Sequence, residues 1–255
     1  MRKILITAPL KQDPKIFDEY QESLDQLIIP DGFGADRFFV VDGCPEVIPH
    51  IRRAKYMVYE PKPWELLEET HRWTGGAVRK MCNLRNTTIM MALRGGYDYW
   101  LSADTDLVLN RHTVEYLLAA NKDIVSEVFW TRSESGTWCN SWMYDDGDVD
   151  GMISEWKNPG LYKVGMTGAL MLVKRRVFEA GVGYAEIPNI RRALFGEDRY
   201  FCVRAACAGF DLWMDTNAPA RHLFDEERFN EWMEVKRHAG GGEKGAAGDG
   251  DGVRQ

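Results

Sequence analysis

An α/β domain built around a mixed, mostly parallel central sheet is the fold class this sequence predicts, and three observations carry it. Short apolar runs alternate with helix-period segments along most of the 255 residues, the pattern of strands joined by helical crossovers. One such run, residues 97–103, is aromatic and apolar without Gly or Pro, as a buried strand reads. That run stops abruptly at two carboxylates one residue apart, Asp104 and Asp106.

Taken in order, residues 3–7 open the chain as a strand ending in Thr7-Ala8-Pro9. Asp13-Pro14 then follows the cap-then-proline pattern of a helix start, with Ile16, Phe17, Tyr20, Leu24 and Leu27 on one face. Residues 37–42 and 55–59 read as further strands, with a short helical segment over 45–54 between them. Residues 60–74 carry Pro61, Pro63, Trp64 and Trp73 among mixed charges, which predicts a loop or short helix near the active face. A long helix over 78–93 follows Gly75-Gly76, carries Arg85-Asn86 in its middle and closes at Gly95-Gly96. After the acidic strand come a helix over 112–120 and a buried strand over 123–129.

From 130 to 159 the composition shifts to Ser, Gly, Asp and Trp. Trp138, Trp142, Tyr144 and Trp156 stand irregularly among acids, which suits a sugar- or base-stacking surface and equally a loop that packs on itself. Residues 162–168 lead into an apolar strand over 169–173 and a helix over 175–180. Glu197 and Asp198 open another helix, where free backbone N–H groups favour negative charge. The last strand covers 211–215 with His222 just beyond it, and a short helix spans 226–238. The Gly-rich tail 239–255 holds too little apolar surface to order itself.

A chain that is 45% hydrophobic and 28% charged has ordinary globular composition and the length to bury a core. Its net charge of −7 argues against a nucleic-acid partner gripped by its phosphates. Cys44, Cys82, Cys139, Cys202 and Cys207 are odd in number and form no C-x-x-C pair, so reduced thiols are expected rather than a zinc knuckle or disulfide framework. No apolar run approaches the roughly 20 residues that span a bilayer. The N-terminus enters a strand without a signal-peptide pattern, and a cytoplasmic location is the expectation.

Two acids at the end of a buried strand repel each other and lose hydration. They persist only where a cation, donor groups or open solvent compensates them. Mg²⁺ and Mn²⁺ prefer oxygen ligands and leave positions free for phosphate oxygens. Asp106 also fits a cap of the following helix and Asp104 a solvated loop.

Together, the acidic strand, the glycine-flanked strand over 163–173, Glu197-Asp198 at a helix start and His222 after the final strand resemble a GT-A glycosyltransferase of the family 2-like kind. The likeness covers roughly residues 3 to 222, and the Arg85-Asn86 helix is similar to that of the fungal mannan-building mannosyltransferases. It implies one Rossmann-like domain over 1–238, with a nucleotide-binding half of about 1–110 and an acceptor half of about 111–238. It further implies transfer of a sugar from a UDP- or GDP-sugar, with Mn²⁺ or Mg²⁺, to an acceptor hydroxyl. The acceptor is left open among a glycan, a lipid carrier, a peptide and a modified nucleobase.

Position by position, the resemblance makes Asp104 and Asp106 the D-x-D that binds the metal and the donor's ribose or diphosphate. The Thr7-Ala8-Pro9 turn matches the loop that holds the nucleoside, and Asp42 an acid that contacts the base. Arg85 and Asn86 match a helix pair facing the diphosphate, and Gly168 the place where the chain passes under the transferred sugar. Glu197-Asp198 match the E-D motif whose Asp is the general base, and His222 the histidine that completes the metal's coordination. The Q-x-x-R-W signature of polymer-making synthases is absent, which speaks against a processive reaction.

The chemistry asks for the same groups. Breaking a sugar–phosphate bond builds positive charge at the anomeric carbon and negative charge on the leaving diphosphate. A divalent ion offsets the second, and a carboxylate across the ring, Asp198 or failing that Glu197, takes the acceptor's proton. Such a base implies inversion, whereas the mannosyltransferase likeness implies retention. Residues 104–108 also fit the nucleophile strand of a haloacid dehalogenase-type phosphatase, although about a hundred residues precede them and no second acid follows Asp198 until Asp211. A non-catalytic sugar- or nucleotide-binding module is the third reading, and it would not need Glu197-Asp198. Singly, His222 fits a surface or capping histidine, Arg85 an amphipathic-helix charge and Gly168 close backbone packing.

Overall fold

The computed structural model describes residues 1–60, 74–133, 136–143, 149–190 and 194–241. The chain opens with β1 (Arg2–Leu10), α1 (Pro14–Asp25), β2 (Phe33–Asp42), a 3-10 helix at Pro45–His50 and β3 (Lys55–Tyr59). There follow α2 (Gly75–Arg94), β4 (Tyr99–Ser102), β5 (Leu107–Val108), α3 (Thr113–Ala119) and β6 (Ile124–Ser133). Next are β7 (Gly136–Cys139), β8 (Ser141–Trp142), α4 (Val149–Trp156), β9 (Leu161–Val164), β10 (Met166–Thr167) and β11 (Met171–Lys174). The chain continues with α5 (Arg175–Glu179), α6 (Glu197–Cys207), β12 (Leu212–His222) and α7 (Glu226–Gly241).

The main sheet has the order β3-β2-β1-β4-β11-β6-β12-β5. Strands β3, β2, β1, β4, β6 and β12 point the same way, and β11 and β5 are reversed. The α/β class and mostly parallel sheet are therefore as the sequence predicts. Because β2 and β4 flank β1 on opposite sides, the winding direction changes at β1. A crevice opens at the carboxyl ends of the strands at such a switch, and the two acids follow β4 there.

The period of two along the strands divides the core between the two faces of the sheet. Leu5, Val40 and Trp100 pack with Phe178, Tyr184 and Phe201 on one face. Ile4, Ile6 and Leu101 pack with Phe17, Tyr20 and Leu117 on the other. In α1, Phe17, Tyr20 and Leu24 form the buried stripe and the Asp13 carboxylate accepts from the Lys15 amide, so the expected cap is in place.

Several boundaries differ from expectation. β1 runs on to Leu10, so Thr7-Ala8-Pro9 is strand and not turn. Its pairing with β4 ends at Thr7↔Ser102, which leaves one side of Pro9 unpartnered, where a residue lacking N–H is tolerated. α2 starts earlier because the Thr74 hydroxyl caps it, accepting from the Ala77 amide at 3.1 Å. β12 does not stop at Asp215; it passes a bulge between Asp215 and Ala220 and pairs again with β6 and β5, so His222 ends the strand instead of following it. Residues 169 and 170 precede β11, since Ala169 holds a left-handed φ of 63°. Within the 130–159 segment, β7 pairs antiparallel with β6. α7 includes residues 239–241; the remaining tail, residues 61–73 and Tyr144 lie outside the described residues. Among the described residues, no helix is long and apolar enough to cross a membrane.

Candidate functional site

A cleft of about 570 Å³ lies over the carboxyl ends of β1 and β4. Its position follows from backbone hydrogen bonding: the Ala103 amide continues the ladder to the Thr7 carbonyl at 3.0 Å, and the Leu107 amide turns back to the Asp104 carbonyl at 3.2 Å. The chain between is a tight turn that sends both acids outward. The buried Tyr20 hydroxyl donates to the Ala103 carbonyl at 3.0 Å and anchors this turn to α1.

The two acids have different partners. Arg85, 1% exposed, donates from Nη2 to Asp104 Oδ1 and Oδ2 at 3.0 and 3.2 Å, and from Nη1 to Ser102 Oγ at 2.8 Å. Burial pushes the Asp104 carboxyl above its ordinary range, and the guanidinium opposes that shift. Burial works against the charge on Arg85, but the surrounding carboxylates outweigh it and its pKa ends well above the ordinary value. A third of the Asp104 side chain remains exposed, so lone pairs are left for a ligand.

Asp106 instead faces His222, with Oδ2 3.2 Å from Nε2. The other ring nitrogen, Nδ1, is 2.8 Å from the Thr131 hydroxyl. Phe129 meets the imidazole edge-on at 4.8 Å and Phe224 lies at 5.4 Å. The Leu223 amide donates to the Asp106 carbonyl at 2.7 Å, which ties the end of β12 to the acidic turn. A carboxylate oxygen and an imidazole nitrogen side by side on an open cleft, with the far ring nitrogen already oriented, form a donor set that fits Mn²⁺ or Mg²⁺. It is an open set: among the described residues no three His, Cys, Asp or Glu side chains gather as a metal site. Asp104 points both oxygens at Arg85 and does not join Asp106 and His222 as expected.

On the opposite wall, Gly196 with φ 140° leads into α6 and its first residues, Glu197 and Asp198. Burial and then the charge of Asp198 push the Glu197 carboxyl up to about 8. Burial also pushes Asp198 up, to about 6, with Arg85 as the main opposing influence. Gly168 lies directly beneath: a Cβ there would collide with the Asp198 carboxylate. The Ala169 amide hydrogen-bonds Asp198, and it is aimed by a three-residue turn in which the Leu170 amide donates to the Gly168 carbonyl at 2.7 Å. Asn140 pins that turn to β6, its Nδ2 donating to the carbonyls of Gly168 and Glu127 at 3.1 and 3.0 Å.

Of the residues singled out from the sequence, Pro9, Asp42, Asp104, Asp106, Glu197, Asp198 and His222 all line this cleft. Thr7 and Ala8 do not, being wholly buried in β1. Arg85 stands behind the wall and not on it. Asn86 serves another loop, its Oδ1 accepting from the Tyr184 amide at 2.9 Å. Gly168 supports Asp198 from below. Trp138 and Trp142 line the cleft, whereas Trp156 is buried in the core, so both readings of the aromatic segment apply, to different residues.

Among the lining residues that were not anticipated, three are polar groups beside the predicted ones. Lys80 is buried with its Nζ 2.9 Å from Asp42, and nothing in the pattern of α2 sets it apart. Thr131 alternates with Phe129 along β6, a signal visible only once that strand is known to reach Ser133. Arg199 lies 5.2 Å from the Trp142 ring centroid, and its signal was adjacency to Asp198.

No family model matches the chain, and no curated protein matches it. Among solved structures it is similar to the catalytic domain of Drosophila β1,4-galactosyltransferase 7 in complex with xylobiose, with a TM-score of 0.50 and 14% identity over 89% of this chain and 73% of that one. It is also similar to S. aureus TarS, with a TM-score of 0.55 and 13% identity over 92% of this chain, which spans 39% of TarS. At such identities the likeness shows the fold, and the fold is GT-A.

Proposed function

We propose that a chain with this GT-A fold is a metal-dependent glycosyltransferase, moving a sugar from a UDP- or GDP-sugar to an acceptor hydroxyl with Asp198 as base. The observation that carries the reading is a single cleft shared by Asp104, Asp106 and His222 on one side and Glu197 and Asp198 on the other. Neither a phosphatase nor a simple binder calls for both sets.

Asp106 and His222 would hold Mn²⁺ or Mg²⁺, which when bound neutralises charge on the leaving diphosphate. Asp104, held by Arg85, presents its exposed oxygens to the donor's ribose or diphosphate. Pro9 and the Asp42–Lys80 pair lie where the nucleoside would sit. Gly168 and Ala169 keep the floor low enough for Asp198 to face the sugar. With its carboxyl at about 6, Asp198 is ionised at neutral pH yet more basic than a solvated aspartate, as a general base should be. Glu197 at about 8 keeps its proton there. A base in this place favours an inverting course over the retaining one of the mannosyltransferase likeness. Trp138 and Trp142 offer apolar faces to an acceptor ring.

The test is a thermal-shift screen of UDP- and GDP-sugars with Mn²⁺, since ligand that binds only the native state raises the melting point by mass action. A hit is then followed by transfer assays on Asp198→Asn. Retained donor binding with lost transfer is expected. Unchanged turnover removes Asp198 as the base, binding without transfer by the unmodified protein favours the binding module, and no stabilisation by any nucleotide-sugar overturns the reading.

A further inference from the structure

Arg85 occupies a place that the proposed reaction leaves unexplained. It is too deeply buried to touch a ligand in the cleft, yet it stands between an acid of the donor side and the acid assigned as base. Three of its edges are accounted for: Nη1 on Ser102, Nη2 on both oxygens of Asp104, and the guanidinium 5.6 Å from the centroid of the Tyr184 ring. The fourth is not. Its Nε lies 3.9 Å from Asp198 Oδ1, and both atoms are buried without a hydrogen-bond partner among the described residues. A buried donor and a buried acceptor left facing each other are costly, and a shift of under an ångström makes them a hydrogen bond.

We infer that Arg85 is a positioning residue that couples the donor side of the cleft to the base: one guanidinium serves Asp104 and Asp198, so what engages Asp104 changes what Asp198 feels. The inference rests on the glycosyltransferase reading for its consequence, though not for its geometry. In the resting protein Asp104 holds the guanidinium through two hydrogen bonds and keeps it just out of reach of Asp198. A donor hydroxyl or ammonium-like group that draws on the exposed lone pairs of Asp104 weakens that hold. The Nε edge then closes on Asp198 and favours its ionised form. The position and proton affinity of Asp198 thereby follow occupancy of the donor site, by linkage that works equally in reverse.

The other groups facing Asp198 are few. From its own helix come Glu197, Arg199 and the Cys202 thiol; from α2, Arg85 and the Cys82 thiol; from the turn after β4, Asp104; and from the loop before α6, Tyr184. Burial raises both thiols and the phenol, keeping them neutral around pH 7. Arg85 and Arg199 are thus the cations that act most strongly on Asp198 among the described residues. Of these, Arg85 has the larger effect on it and is the one also bound to Asp104.

The measurement is a titration of the Asp198 carboxyl by ¹³C NMR on aspartate-labelled protein, the signal being assigned by its loss in Asp198→Asn. It needs no turnover, so it fails or succeeds independently of the glycosyltransferase reading. Arg85→Met should move the midpoint up by a pH unit or more. Asp104→Asn, which frees the guanidinium, should move it down, and that downward shift should shrink to less than half in the Arg85→Met/Asp104→Asn double variant. If Arg85→Met does not fold, Arg85→Lys takes its place: it keeps the charge but loses the Nε edge, and its midpoint should lie above that of the unmodified protein. A midpoint unmoved in a folded Arg85 variant overturns the inference. So does an Asp104→Asn shift that is the same with and without Arg85, because that outcome makes the effect direct repulsion between the two acids.

Discussion

Asp104 and Asp106 are the same residue type two positions apart on one turn, and the protein treats them in opposite ways. Asp104 is closed from behind by a buried guanidinium that takes both of its oxygens. Asp106, the less exposed of the two, lines the cleft beside an imidazole whose other nitrogen is held by Thr131. A carboxylate already satisfied by an internal cation is a poor ligand for a second one, whereas a carboxylate and an aligned imidazole together are an open ligand pair. The D-x-D motif therefore divides into an ordering half, continuous through Arg85 with Asp198, and a half proposed to hold the metal, continuous with the end of β12.

That division predicts different losses on the two sides. The largest belongs to the ordering side: Asp198→Asn should lower kcat by about 10²–10⁴-fold while leaving donor affinity in place, read by steady-state kinetics against calorimetry. On the metal side, Asp106→Ala should remove the Mn²⁺-dependent part of nucleotide binding by calorimetry. Metal-dependent affinity that survives would break the comparison by handing the ion to Asp104. Gly168→Ala should cost about 1–3 kcal/mol in denaturant unfolding, since a new methyl must displace the Asp198 carboxylate from a packed site, and transfer should fall with it. Thr131→Val frees one ring nitrogen of His222 and should weaken Mn²⁺ affinity by about tenfold, the low end for loss of a ligand's orienting partner. The smallest effect is one of pH. Asp198 must be ionised to accept a proton, so kcat/KM should be flat above about pH 6 and fall by about tenfold per unit below it. A limb near 4 would mean a solvated base outside this wall.

Much of the architecture was readable along the chain. Short apolar runs and a proline-started helix mark β1, α1, β2 and β3, because a strand covered on both faces is apolar without alternation and a helix packed on one face repeats its apolar residues every three or four. The acidic turn after β4 and the two acids opening α6 were legible for a related reason. Charge set against an apolar run has to be compensated, and the sequence shows where the run ends. Residues whose position depends on pairing partners were not legible. Thr7 to Pro9 read as a turn until β2 was seen to pair with β1 as far as Leu10. His222 read as lying past its strand because a bulge interrupts the pattern before β12 pairs with β5.

What the sequence by itself determined is the class of fold and the chemistry on offer: an α/β domain whose crevice end carries paired acids, with a second acidic pair at a helix start. Those follow from local periodicity and from the cost of burying charge, both written into neighbouring residues. Which acid faces which cation was decided only in three dimensions. Arg85 binds Asp104 and stands 3.9 Å from Asp198, from a helix that precedes the acidic strand, and Thr131 aligns His222 from 91 positions away. No local pattern encodes such contacts; the order of the strands brings the residues together, and burial then makes their charges act on one another.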